Sequence, residues 1–80
     1  YSFLLSLSII SGMKKFQEAL LEQRKLNHLT QREVASRLGI SQPSYIRYEK
    51  GTAEPGLENL VKLADIFDVS TDYLLGRKDY

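Results

Sequence analysis

The sequence predicts an all-α domain. Three observations carry this. Apolar residues recur at three- and four-residue spacing along successive segments, and no segment alternates with the period of two that a strand needs. Thr30, Ser41 and Ser70 stand just before such segments, and Gly39, Gly51 and Gly76 just after them, where helices are capped at either end. The connections between segments are short, and no repeat, linker or low-complexity tract interrupts them.

The first helix is expected from Met13 to about Leu26. Met13, Phe16, Ala19, Leu20 and Gln23 share one face, and Lys14, Lys15, Glu18 and Glu22 face outward. Asn27 and His28 end it. The second begins at Thr30, because Thr30-Gln31-Arg32-Glu33 reads as a capping box in which hydroxyl and carboxylate exchange backbone amides. Val34, Ala35 and Leu38 form its inner face, and Gly39 stops it.

Ser41 caps the third helix, about Gln42 to Lys50. Pro43 lies in its first turn, where the missing N–H costs nothing, although it disfavours helical geometry at Gln42. Tyr45 and Tyr48 share its inward face. The loop Thr52 to Gly56 leads to a fourth helix from about Leu57 to Phe67. Its apolar stripe reads as Leu57, Leu60, Val61, Ala64 and Phe67. A fifth starts after Ser70, holds Tyr73, Leu74 and Leu75, and ends at Gly76.

Eighty residues support one modest core. There is no cysteine and one histidine, His28, so disulfides and thiolate metal sites are excluded and no metal or cofactor is expected. The absence of cysteine suits a reducing cytoplasm, where the chain is expected to reside. Net charge is +1, but it is unevenly placed. Residues 1–51 carry eight Lys/Arg against four Glu, a net +4, and residues 52–80 carry three against six Asp/Glu, a net −3. Attraction to phosphate follows local potential rather than the total.

The basic part contains Leu29 to Gly51, LTQREVASRLGISQPSYIRYEKG, which reads as two helices joined by a tight turn. A second helix held this way can enter a DNA major groove. Residues 13–80 resemble the Cro/CI-type, or XRE, helix-turn-helix family of phage and bacterial repressors. The resemblance rests on LTQ at 29–31, REVASRLGIS at 32–41, RYEKG at 47–51 and AEPGLENLVKLADIFDVSTDYLLG at 53–76. It implies a five-helix, lambda-repressor-like DNA-binding domain with its helix-turn-helix at helices 2 and 3.

Gln42, Pro43, Ser44 and Arg47 fall on the outward face of helix 3. Gln42 can pair with adenine N6/N7 and Arg47 with guanine O6/N7, and Ser44 can reach a base edge or a phosphate. The plain alternatives are a solvated Gln42, and a phosphate contact or local ion pair for Arg47. Pro43 offers apolar contact only. Pro43 and the outward Ile46, which either touches DNA or rims the core, depart from the family pattern. Gln31 matches the family glutamine that clamps a phosphate at the start of helix 2, where free N–H groups and the helix dipole attract anions. Lys50 and Thr52 are expected along a phosphate backbone, with Arg32, and less so Arg37, adding to them. The resemblance also implies an ion pair between Arg24 and Glu49 that fixes helix 3.

The expected function is therefore sequence-specific binding of double-stranded DNA by a transcriptional regulator, most simply a repressor that occupies a promoter. A homodimer reading two half-sites is expected, with Tyr73 and Leu74 or an apolar arm as its contact. The alternative is a protein-interaction module, such as an antitoxin or a partner-binding subunit. No catalytic motif is recognisable, so an enzyme is not expected. His28 reads as an exposed loop residue. Residues 1–12, YSFLLSLSIISG, form an uncharged apolar extension too short to span a membrane and lacking a basic leader region. They read either as an upstream start or as a docking arm.

Overall fold

The computed structural model describes residues 14–78, so the extension at 1–12 and Met13 lie outside the described residues. Five helices follow one another: α1 (Lys14–Leu26), α2 (Gln31–Leu38), α3 (Gln42–Lys50), α4 (Leu57–Phe67) and α5 (Thr71–Leu74). No strand occurs among the described residues.

The starts of the helices obey the sequence. Thr30 Oγ1 accepts from the Glu33 amide at 3.1 Å, and Glu33 accepts from the Thr30 amide at 2.9 Å. Those bonds hold the Glu33 carboxyl below its ordinary range, the backbone bond foremost. Ser41 caps α3 through the Ser44 amide, and Ser70 caps α5 through the Tyr73 amide. Gly56 precedes α4 and supplies no side-chain cap.

All five helices end alike. The first amide past α2, α3 and α4, and the second past α1 and α5, bonds the carbonyl three residues back, and the next amide reaches five back. In α1 these are His28 to Lys25 at 3.1 Å and Leu29 to Arg24 at 3.0 Å. This double bond satisfies the last carbonyls but needs a left-handed residue at the turn. Glycine takes that place after α2, α3 and α5, whereas His28 and Asp68 take it after α1 and α4, each at φ 55°. The left-handed role of these two residues carried no signal in the sequence.

Every helix contributes to one core. Leu20, Val34, Tyr45, Leu63 and Leu74 are fully buried, with Ala19, Ala35, Leu38, Tyr48, Ala64 and Phe67 around them. The Tyr45 and Tyr48 rings meet edge to face, centroids 6.3 Å apart. Phe16, Leu29, Ile40, Leu60 and Val69 close the margin.

Two readings of the sequence need correction. The stripe of α4 is rotated from the expected one: Leu63 is fully buried, while Leu57 is 83 % and Val61 51 % exposed. At 3.6 residues per turn Leu60, Leu63 and Phe67 share a face, and Leu57 and Val61 sit on its shoulder. Seven apolar residues in an 11-residue helix fit either centre, and only packing selects one. The second correction concerns α5. Leu74 is fully buried, so it cannot be offered to a partner. Tyr73 is half-buried, its hydroxyl accepting from Gln23 Nε2 at 3.2 Å and donating to Glu22 Oε2 at 3.4 Å. These bonds hold α5 on α1.

Candidate nucleic-acid interface

α3 is a short helix, and nine residues are too few to be stable alone. It is held at three points. Tyr45 and Tyr48 anchor its inner face in the core. The Tyr48 hydroxyl accepts from Asn59 Nδ2 of α4 at 3.2 Å. At the far end Glu49 receives Arg24 of α1 in a two-pronged ion pair, Nε to Oε2 at 2.6 Å and Nη2 to Oε1 at 3.2 Å. Arg24 Nη1 also donates to the Leu29 carbonyl at 3.2 Å, so one guanidinium ties α1, the loop before α2 and α3 together.

The ion pair is largely shielded, with side-chain exposures of 16 % for Arg24 and 8 % for Glu49. Burial pushes the Glu49 carboxyl up, but Arg24, Tyr45 and Gln31 together outweigh it and hold the carboxyl below its ordinary value. Arg24 is held more firmly protonated, first by its hydrogen bonds to Glu49. Burial, then Glu49, drives the Tyr45 phenol far above its usual value. The Tyr45 hydroxyl is enclosed yet makes no hydrogen bond of good geometry. Its effect on Glu49 is thus one of proximity rather than of a formed bond.

Gln31 has a second role that the sequence did not signal. Its Nε2 donates to Glu49 Oε1 at 3.1 Å, so the residue expected on a phosphate is also part of the anchor of α3. A Gln amide has two N–H donors, and one remains for an anion. Gln31 lines an open hollow of about 750 Å³ together with Arg24, Arg32, Gln42 and the capping-box residues Thr30 and Glu33. The starts of α2 and α3 therefore converge on one space with free helix N–H groups.

The other expected residues are distributed along α3. Pro43 and Arg47 are exposed, and Gln42 and Ser44 are half-buried. Ser44 Oγ accepts from Ser41 Oγ at 2.8 Å, which keeps the Ser44 proton available to an acceptor. Ile46 is half-buried and is not among the side chains that pack on the core. Lys50, Thr52, Arg32 and Arg37 are exposed. Thr52 and Ala53 both donate their amides to the Arg47 carbonyl, at 3.0 and 3.4 Å, which pins the loop against the end of α3. Gly51, at φ 80°, lies directly against the end of the Gln17 side chain of α1, so a Cβ there is strained in backbone and must displace that side chain. His28 is exposed between α1 and α2.

A short helix anchored on its inner side and polar on its outer side, preceded by a tight glycine turn, defines a helix-turn-helix protein. The profile of the family described as Helix-turn-helix matches residues 20–74. The chain belongs to this helix-turn-helix family. It is 48 % identical over 63 residues to the cryptic phage CTXphi transcriptional repressor RstR of Vibrio cholerae serotype O1, covering 79 % of this chain and 56 % of that one. It is 47 % identical over 60 residues to the uncharacterized HTH-type transcriptional regulator YqaE of Bacillus subtilis, covering 75 % and 52 %. The SPbeta prophage-derived uncharacterized HTH-type transcriptional regulator YonR of Bacillus subtilis is 45 % identical over 60 residues, covering 75 % and 56 %. The chain thus spans about half the length of the curated relatives it matches. No solved structure gives a significant match. Among the described residues no helix is long and apolar enough to cross a membrane.

Proposed function

We propose that this chain is a cytoplasmic, non-enzymatic repressor of phage or prophage type that inserts α3 into the major groove of double-stranded DNA. The observation that carries it is the solvent side of α3, where Arg47 is exposed and the polar Gln42 and Ser44 are half-exposed, while Tyr45, Tyr48 and Glu49 fix the helix from behind. Gln42 and Arg47 then read base edges, Ser44 a base edge or phosphate, and Pro43 packs on an apolar base edge such as a thymine methyl. Gln31, Arg32, Lys50 and Thr52 hold phosphates on either side and set the register. Repression follows from occupying a promoter. One domain this small covers limited DNA, so two copies related by a two-fold axis read two half-sites about one helical turn apart.

The test is fluorescence-anisotropy titration of DNA from upstream of its own gene, across a salt series, for wild type and Arg47→Ala. Wild type is expected to bind tightly with a steep salt slope. Arg47→Ala is expected to lose about 1–3 kcal/mol on that DNA and much less on unrelated DNA. Equal losses on both would reduce Arg47 to a phosphate contact. Absence of wild-type binding at low salt would end the reading.

A further inference from the structure

One polar group in the anchor of α3 is left unused. The Tyr45 side chain is fully buried, and among the described residues its hydroxyl is the one enclosed side-chain polar atom without a hydrogen-bond partner. Such a group costs stability, so its place in the fold calls for a reason. Tyr45 stands one turn before Glu49 on α3, on neighbouring surface, and its hydroxyl is close enough to act on both Glu49 and Arg24.

The donors around Glu49 show what the hydroxyl lies against. A carboxylate offers about four acceptor positions, two on each oxygen. Glu49 Oε1 accepts from Arg24 Nη2 at 3.2 Å and from Gln31 Nε2 at 3.1 Å, and Oε2 accepts from Arg24 Nε at 2.6 Å. Among the described residues Oε2 therefore keeps one open position. A spare donor and a spare acceptor stand side by side, at a carboxylate whose side chain is 8 % exposed.

Gln31 is the donor that DNA draws on. It is the first residue of α2, is half-buried, and lines the open hollow where α2 and α3 begin. The two N–H groups of one amide are rigidly linked, so aiming one at a phosphate re-aims the other. A neutral amide turns to the less compensated anion, and Glu49 is already compensated by the two-pronged Arg24.

We propose that Tyr45 is the reserve donor of the anchor: when Gln31 turns to a DNA phosphate, the Tyr45 hydroxyl donates to Glu49 in its place. The inference rests on the phosphate contact of Gln31 in the function above. It makes Tyr45 a positioning residue, which never touches DNA and acts through Glu49. In the free chain Gln31 serves Glu49 and the hydroxyl is unmet. In the bound chain the new bond offsets the one that Glu49 gives up, so α3 keeps its anchor while Gln31 holds the phosphate.

The experiment is a double-mutant cycle of Tyr45→Phe and Gln31→Ala, read by chemical denaturation and by anisotropy titration on upstream DNA. Phenylalanine keeps the ring in the core and removes only the hydroxyl. In the wild-type background Tyr45→Phe is expected to leave the folded-to-unfolded ratio unchanged or to raise it, because an unmet group is removed. It is expected to weaken DNA binding about fivefold to tenfold, the effect of one hydrogen bond present only in the complex. Gln31→Ala takes the amide from Glu49 permanently, so Tyr45 donates there with or without DNA. In that background Tyr45→Phe is expected to lower the folded-to-unfolded ratio about tenfold and to weaken DNA binding no further.

A hydroxyl that merely fills the core gives the same change in stability in both backgrounds, and that result overturns the proposal. So does a loss of stability on Tyr45→Phe alone, which would show the hydroxyl already bonded in the free chain. Unchanged DNA affinity of Tyr45→Phe, in a wild type that binds, overturns it too. The denaturation arm needs no DNA. If wild type binds none, the DNA-reading function falls, and a loss of stability confined to the Gln31→Ala background still establishes Tyr45 as the reserve donor of Glu49.

Discussion

The helix-turn-helix unit and α4 are built to different standards. α2 and α3 each have a side-chain cap at the start and a glycine at the end, and the capping box adds a reciprocal bond. Arg24, Gln31 and Glu49 then lock them to each other and to α1. α4 begins at an uncapped glycine and ends on Asp68 in a left-handed conformation. It is held chiefly by burial of Leu63, Ala64 and Phe67. The difference follows from what each unit must do. Hydrophobic burial is non-directional and tolerates small rotations, whereas hydrogen bonds and capped ends fix an angle. A helix proposed to read bases needs its angle fixed, and a helix that fills a core does not.

The largest way to break the contrast is at Glu49. Glu49→Ala strands the Arg24 guanidinium and frees Gln31, and is expected to cost about 3–5 kcal/mol, read by chemical denaturation. Replacing both partners by apolar residues, Arg24→Met with Glu49→Leu, is expected to cost much less, because no charge is stranded. The double variant should nonetheless lose DNA affinity if the pair orients α3. The pair also sets a pH dependence. The folded Glu49 carboxyl titrates below its unfolded value. Its stabilisation is therefore complete above the ordinary carboxylate range, near pH 4.5, and is lost as pH falls through the lower folded value. Wild type is expected to lose stability through that acid window, and Glu49→Gln to lose less of it.

The second contrast lies within α4. Leu63→Ala is expected to cost about 2–5 kcal/mol, as truncations of fully buried leucines do. Val61→Ala is expected to stay within about 0.5 kcal/mol at concentrations where the chain is monomeric. Equal effects would return the stripe to the position that the sequence suggested.

What was legible follows the same division. Caps are local chemistry, so Thr30, Ser41, Ser70 and the glycines after α2, α3 and α5 could be read directly. The pairing of Arg24 with Glu49 was accessible only through resemblance, since nothing local joins residues 25 positions apart. The bond from Gln31 to that pair was not accessible at all, because glutamine at a helix start is equally at home in water. Periodicity located α4 but left its rotation open. Among the interface residues, spacing alone could say that Arg47 points away from Tyr45 and Tyr48, with Gln42 and Ser44 on the flanks. What lies behind Ile46 needed packing.

The smallest effects sharpen the comparison at the helix ends. Gly39 and Asp68 occupy the same left-handed position after α2 and α4, at φ 77° and 55°. A Cβ added at Gly39 meets nothing within 4 Å, so Gly39→Ala tests backbone conformation alone. It is expected to cost about 1 kcal/mol, offset in part by a less flexible unfolded chain. Asp68→Gly runs the exchange in reverse. It relieves a left-handed aspartate, which is tolerated better than alanine there, and loosens the unfolded chain. A gain of a few tenths of a kcal/mol, about half the Gly39 loss or less, is the expected outcome by thermal denaturation. The two changes separate conformational strain from function as well. Gly39 lies in the turn that sets α3 against α2, so Gly39→Ala should weaken DNA binding beyond its effect on folding. Asp68→Gly should leave binding unchanged. If Asp68→Gly altered DNA affinity as much as Gly39→Ala, the end of α4 would carry orientation after all, and the division between an angle-fixing unit and a core-filling unit would fail.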